Sequence, residues 1–156
     1  MNTDVMFSSK SCDWATPQDI FDKLNSEFCF SLDPCADDSN HKCAKYYTGE
    51  QDGLKQDWSG ETVFCNPPYG KQISAWVKKC FEEVYAGGCL CAVMLIPART
   101  DTRWFHDYIY HKAEVRFIRG RLKFGESNTA APFPSMVVIF RSNKGVKTAD
   151  RTDKEK

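Results

Sequence analysis

The chain carries no net charge, because its 21 Lys and Arg residues are matched by 21 Asp and Glu. That balance removes the bulk electrostatic signature of a nucleic-acid-binding domain, so any such role must rest on how the charges are distributed. No apolar stretch approaches the run of about 18 residues that a membrane-spanning helix needs. The first residues, Met1 to Phe7, have no basic segment leading into an apolar one and do not read as a secretory leader. The expectation is a cytoplasmic protein with no membrane partner. None of the eight cysteines falls in a Cys-x-x-Cys pair. Cys35, His41 and Cys43 lie close together, but no second ligand pair follows at zinc-site spacing, so no metal is expected. Cys65, Cys80, Cys89 and Cys91 sit in apolar runs and read as small core residues. At 156 residues there is one domain's worth of chain and little left for a separate recognition domain.

What is present is a strand that must break. Val63-Phe64-Cys65 is a short apolar run of the kind that forms a buried strand. Pro67 and Pro68 cannot continue it, since they lack the donor N–H and fix φ. The chain therefore turns at the carboxyl end of that strand, where open α/β sheets place their ligand crevice. The turn offers the Asn66 carboxamide, proline-stiffened carbonyls and the Tyr69 ring. An exocyclic amine on a flat ring needs about that set: acceptors for its two N–H groups and a surface to stack on. A Pro-Pro turn with Tyr69 as ordinary packing is the plainer alternative.

Thr16-Pro17-Gln18-Asp19 reads as a helix start, with Thr16 as N-cap and Pro17 in the first helical position. Ile20, Phe21, Leu24 and Phe28 give that helix one apolar face. Cys29 to Leu32 reads as a strand ending at Asp33-Pro34. Residues 36–59 carry no clear period. Ile73, Trp76, Val77, Cys80, Phe81 and Val84 recur at helical spacing, and Gly87-Gly88 ends the run. Leu90 to Ile96 reads as a buried central strand stopped by Pro97. A short helix is expected over 102–110, and strands over Glu114 to Phe124 and Met136 to Phe140. The last two strands are joined by a loop too short for a crossover helix, so they should be antiparallel. Residues 1–13 are expected to be a flexible leader, 14–141 a single domain, and 142–156 a disordered charged tail. Alternating helices and apolar strands imply an α/β fold with a doubly wound sheet covered on both faces.

Asn66-Pro67-Pro68-Tyr69 after an apolar strand resembles the catalytic motif of amino-group methyltransferases that use S-adenosyl-L-methionine. The wider pattern is similar to the small phage-encoded DNA N6-adenine methyltransferase family. The shared stretches are Trp14-Ala15-Thr16-Pro17, Leu32-Asp33-Pro34-Cys35-Ala36, Asp52-Gly53-Leu54, Asn66-Pro67-Pro68-Tyr69-Gly70, Ile96-Pro97-Ala98-Arg99-Thr100-Asp101 and Gly120-Arg121-Leu122-Lys123-Phe124. Together they span roughly residues 13–140. The resemblance implies a Rossmann-like methyltransferase fold, a mostly parallel sheet with an antiparallel edge strand. It implies catalytic roles for Asn66, Pro67, Pro68 and Tyr69: the Asn66 amide oxygen and the Pro67 carbonyl accept from the target amine, and Tyr69 stacks on an extruded base. It also implies that Trp14, Thr16, Pro17, Asp33, Pro34 and Asp52 border the S-adenosyl-L-methionine site, although the glycines that usually follow the first acidic motif are missing here. The implied partner is DNA in the host cytoplasm, with the oligomeric state open between monomer and weak dimer.

The segment from Arg99 to Lys123 holds Arg99, Arg103, Lys112, Arg116, Arg119, Arg121 and Lys123 against Asp101, Asp107 and Glu114, a local basic excess that suits a phosphate-contacting edge. Arg99, Asp101, Arg103, Arg121 and Lys123 are the expected DNA contacts, with the Gly125–Pro134 loop beside them. Pro34-Cys35 mimics the nucleophilic dipeptide of cytosine C5-methyltransferases, but it lies in the cofactor motif and the catalytic turn carries Asn66, so that chemistry is set aside. Cytosine N4 or RNA adenine methylation, and an inactive methyltransferase fold that only binds nucleic acid, stay open on the motif alone.

Overall fold

The computed structural model describes residues 15–124 and 129–142. Trp14, the leader 1–13, residues 125–128 of the long loop and the tail beyond Ser142 lie outside the described residues. Among the described residues two α-helices, α1 (Gln18–Phe28) and α2 (Ile73–Tyr85), accompany four strands: β1 (Thr62–Cys65), β2 (Cys91–Pro97), β3 (Glu114–Phe117) and β4 (Ser135–Arg141). The strands form one sheet in the order β1-β2-β4-β3.

β1 and β2 are parallel, with Val63 opposite Ala92 and Cys65 opposite Met94, and α2 makes the crossover between them. β4 is antiparallel to both of its neighbours, β2 and β3. It follows that β1, β2 and β3 run one way and β4 runs against them. The sheet is therefore mixed, with one parallel and two antiparallel pairings. The edge strand β3 is antiparallel to its neighbour, as expected, but the reversed strand of the sheet is β4, and it lies inside. Burial explains the swap. Ser135 to Phe140 are all buried, whereas Glu114 and Phe117 of β3 are exposed, so the more apolar strand takes the position covered on both faces.

Alternation along the strands makes two cores. Val63, Cys65, Ala92, Met94, Ile96, Met136, Val138 and Phe140 face Ile73, Trp76, Val77, Cys80 and Val84 of α2. Phe64, Val93, Leu95, Val137 and Ile139 face Phe21 and Leu24 of α1. Each fully buried aliphatic side chain contributes about 1.5–3 kcal/mol, against tenths for surface helix pairs, so the two sheet faces fix where the helices sit. Among the described residues no helix is long and apolar enough to cross a membrane.

Several local expectations change. Cys29 to Leu32 does not form a full strand: only Leu32 makes a parallel bridge, to Val63, with the Phe64 N–H donating to the Leu32 carbonyl at 3.0 Å. Cys29 closes α1 in the left-handed conformation (φ 57°) and Pro34 follows, so little extended chain remains between them. β3 stops at Phe117 rather than Phe124. The short helix expected over 102–110 is present over 103–109, with a π-helical turn at Phe105–Ile109. Residues 36–59 contain one 3-10 turn, Gly53–Lys55. That turn is held from two sides. The buried Trp58 indole donates to the Gly53 carbonyl at 3.1 Å, and a Cβ on Gly53 would lie 2.2 Å from the Pro34 carbonyl oxygen. Gly53→Ala should thus cost about 1–3 kcal/mol of stability as the two turns are forced apart. Urea denaturation measures this, and an unchanged midpoint would contradict the close approach.

Candidate active site

Leu32, β1 and β2 run parallel, so the turns after them emerge at one edge of the sheet. Those turns are Asp33-Pro34, Asn66 to Tyr69, and Ala98-Arg99. At their centre the half-buried Asn66 carboxamide is held from both ends. Its Nδ2 donates to the Thr16 hydroxyl at 2.9 Å, and its Oδ1 accepts from the Tyr69 hydroxyl at 3.0 Å. The Tyr69 hydroxyl also lies 3.3 Å from the Leu95 carbonyl of β2. The Tyr69 ring stands edge-on to Phe133 (5.3 Å between centroids) and to Phe124 (5.9 Å). Burial pushes the phenol above its ordinary range, so this hydroxyl is a protonated donor. Pro67 is buried, and no described residue donates a hydrogen bond to its carbonyl.

Thr16 corrects an expectation. It does not cap α1: Pro17 is the capping residue, no side chain caps the helix, and the buried Thr16 hydroxyl is engaged by Asn66 instead. Asp33 is buried. Its Oδ2 accepts from the Lys42 N–H at 2.9 Å and its Oδ1 from the Cys35 N–H at 3.4 Å, tying down the loop that follows. Desolvation raises its carboxyl above the usual range, only partly offset by those two donors. Asp52 adopts φ 57° and caps its own 3-10 turn, accepting from the Leu54 N–H at 3.1 Å. Because Gly53 abuts Pro34, the two acidic turns form one wall.

Arg99, Asp101 and Arg103 are exposed just beyond β2. Arg121, which reaches the Ala131 carbonyl at 3.4 Å, and exposed Lys123 lie on the segment leading into Phe124, whose ring meets Tyr69. Arg116 leaves the basic group: it pairs with Glu27 and Glu114 on the surface of β3. Cys35 is unsuited to nucleophilic work, since burial raises its thiol and Asp33 adds to the effect. His41 is turned to the Cys43 carbonyl (2.9 Å) and stacked on Tyr46, and all seven described cysteines are free thiols. An open cleft of about 510 Å³ lies between Tyr85 of α2 and Arg141 of β4, and none of the expected catalytic, cofactor or DNA-contact residues lines it. The Leu95 carbonyl, Phe124 as a wall of Tyr69, and Phe133 had no local signature in the sequence.

A layered α/β domain with these turns gathered at the ends of its parallel strands is compatible with a methyltransferase. Residues 5–155 match the DNA N-6-adenine-methyltransferase (Dam) family. The chain is 30% identical to the DNA N-6-adenine-methyltransferase of Haemophilus phage HP1 over 135 residues, covering 81% of this chain and 77% of that one. It is 32% identical over 111 residues to the DNA N-6-adenine-methyltransferase of Escherichia phage T1, covering 70% of this chain and 45% of that longer protein. This chain belongs to the DNA N-6-adenine-methyltransferase (Dam) family, and it is an enzyme of adenine N6 methylation in DNA. Methyltransferases in general draw their methyl group from S-adenosylmethionine.

The buried Asp33 carboxyl gives a pH test. It holds its proton to higher pH in the folded chain than in the unfolded one, where the value is about 3.9. Its contribution to stability therefore falls as pH rises through that window. Asp33→Asn keeps one acceptor for two N–H donors and should cost about 1–3 kcal/mol at acid pH. The gap to wild type should narrow as pH rises, followed by thermal melts. A gap that widens would show a carboxylate stabilised by folding.

Proposed function

We propose that Asn66 and Pro67 grip the N6 amine of an adenine swung out of the DNA duplex, beside bound S-adenosylmethionine, with Tyr69 against the base. The observation that carries this reading is the Asn66 carboxamide fixed at the strand end, its oxygen already engaged by a hydroxyl donor at 3.0 Å. An amine hydrogen makes the same kind of bond. On base entry Tyr69 gives up that bond, and its ring turns from the Phe124 and Phe133 edges to the base. The Asn66 oxygen and the Pro67 carbonyl then accept the two amine hydrogens and direct the nitrogen lone pair outward. Catalysis of this sort rests on positioning and on dipoles set before the barrier is climbed. Extruding the base costs a few kcal/mol, offset by stacking worth about 1–3 kcal/mol.

The residues present fit the cofactor: the wall made where Gly53 meets Pro34 carries the carboxylates of Asp33 and Asp52, suited to an ammonium group and to ribose hydroxyls. When bound, S-adenosylmethionine supplies an electrophilic sulfonium methyl. Thr16, Pro17 and Pro34 complete its border in this reading, and Trp14 joins them by resemblance. The finer fold assignment, a doubly wound Rossmann-like sheet, is supported by helices on both faces and by β4 reversed among parallel strands. Arg99, Arg103, Arg121 and Lys123 serve the phosphate backbone, with Asp101 among them at the DNA face, and the site of action is the cytoplasm.

Labelled S-adenosylmethionine incubated with unmodified DNA should yield N6-methyladenine on digestion. N4-methylcytosine, or label only in RNA, would overturn the substrate assignment. Asn66→Ala should lower the rate by roughly a hundredfold or more while leaving cofactor affinity within a small factor. Arg99→Ala and Arg103→Ala should each reduce the slope of log affinity against log salt by about 1. A slope unchanged in both would remove them from the phosphate-binding edge.

A further inference from the structure

We infer that Thr16 is a positioning residue for the reaction: its hydroxyl, bonded to the Nδ2 end of the Asn66 carboxamide, restrains that amide with its oxygen toward the target amine. This inference rests on the reading of Asn66 as the amine's acceptor. A side-chain amide rotates about a broad, nearly two-fold torsion, so nothing intrinsic to Asn66 keeps its oxygen toward the substrate. The flipped amide would present N–H donors to the amine hydrogens and could not accept from them. Among the described residues two hydroxyls hold the amide, Thr16 at Nδ2 and Tyr69 at Oδ1. The bond from Tyr69 gives way when the base arrives, because in that reading the Tyr69 ring turns to stack on it. The bond to Thr16 lies on the far end of the amide and survives.

Thr16 is built to hold its place. It is 5% exposed, and the proline after it restricts its backbone to extended conformations. A restricted, buried hydroxyl moves less than a surface one, and it reaches Asn66 across fifty residues of sequence. The bond also joins the segment entering α1 to the turn leaving β1. Whatever orders residues 16 and 17 therefore also orders the Asn66 amide.

The test is a pair of substitutions read by single-turnover methyl transfer at saturating S-adenosylmethionine and DNA. Thr16→Val keeps the shape and removes the hydroxyl, whereas Thr16→Ser keeps the hydroxyl. Thr16→Val should lose roughly tenfold to a hundredfold in rate, with KM for DNA and the cofactor dissociation constant little changed, and Thr16→Ser should recover most of the rate. A wild-type rate in Thr16→Val overturns the inference. So does a loss confined to cofactor affinity and restored at saturation, which would make Thr16 a cofactor contact only. Should Thr16→Val fail to fold, hydrogen exchange of the Asn66 side-chain amide in the wild-type protein decides. Exchange at least roughly tenfold slower than an exposed asparagine amide supports the bond, and equal exchange overturns it. Asn66→Ala separates the clamp from the role of Thr16: if it methylates at the wild-type rate, the clamp is wrong, whereas if it is inactive and Thr16→Val is not, only the role of Thr16 falls.

Discussion

Two consecutive prolines at the end of a parallel strand impose the constraint from which the rest of this site follows. Pro67 and Pro68 have no N–H to offer, so the ladder between β1 and β2 stops at the pairing of Cys65 with Met94. Asn66 is left just outside the sheet, half-buried, with a carboxamide whose donors and acceptor must be matched locally. Thr16 from the start of α1 and Tyr69 from the same turn supply the matches, at 2.9 Å and 3.0 Å. An acceptor served by a residue's own side chain is an acceptor that a substrate hydrogen can take over.

Rigidity behind the site comes from burial on both faces of the sheet. β2 is buried from Ala92 to Pro97, with alternate residues packed on α1 and on α2, and β4 beside it is buried from Ser135 to Phe140. A turn attached to such strands moves only with them. Two cysteines belong to this packing: Cys65 and Cys80 are fully buried and burial raises the thiol of Cys65, which suits a core residue and not a reactive one. The surface ion pairs of Glu27, Glu114, Arg116 and Arg141 lie around β3 and β4, where exposed pairs add little to stability.

How much was legible in the sequence depended on the range of the interaction. The α2 face, the apolar β1 and β2, and the break at Pro67 are written in adjacent residues, and the structure follows them to within a residue or two at each boundary. The antiparallel pairing of β3 and β4 was readable from the short link between them. That β4 rather than β3 lies inside was not, because it depends on comparing the burial of two strands in three dimensions. Thr16 shows the same limit from the other side. Its place before Pro17 reads locally as a helix cap, but a partner fifty residues away claims the hydroxyl. Phe124 and Phe133 meet Tyr69 only through the fold, and nothing in their own neighbourhoods announces it.

The proposed clamp works only if a substrate amine replaces the bond between Tyr69 and Asn66. A crystal structure with a short duplex and a non-reactive cofactor analogue measures this directly. The clamp predicts the adenine N6 within hydrogen-bond distance of the Asn66 Oδ1 and the Pro67 carbonyl, the Tyr69 hydroxyl displaced, and the Thr16 bond kept. A bound base with the Tyr69–Asn66 bond intact and the amine elsewhere would contradict it.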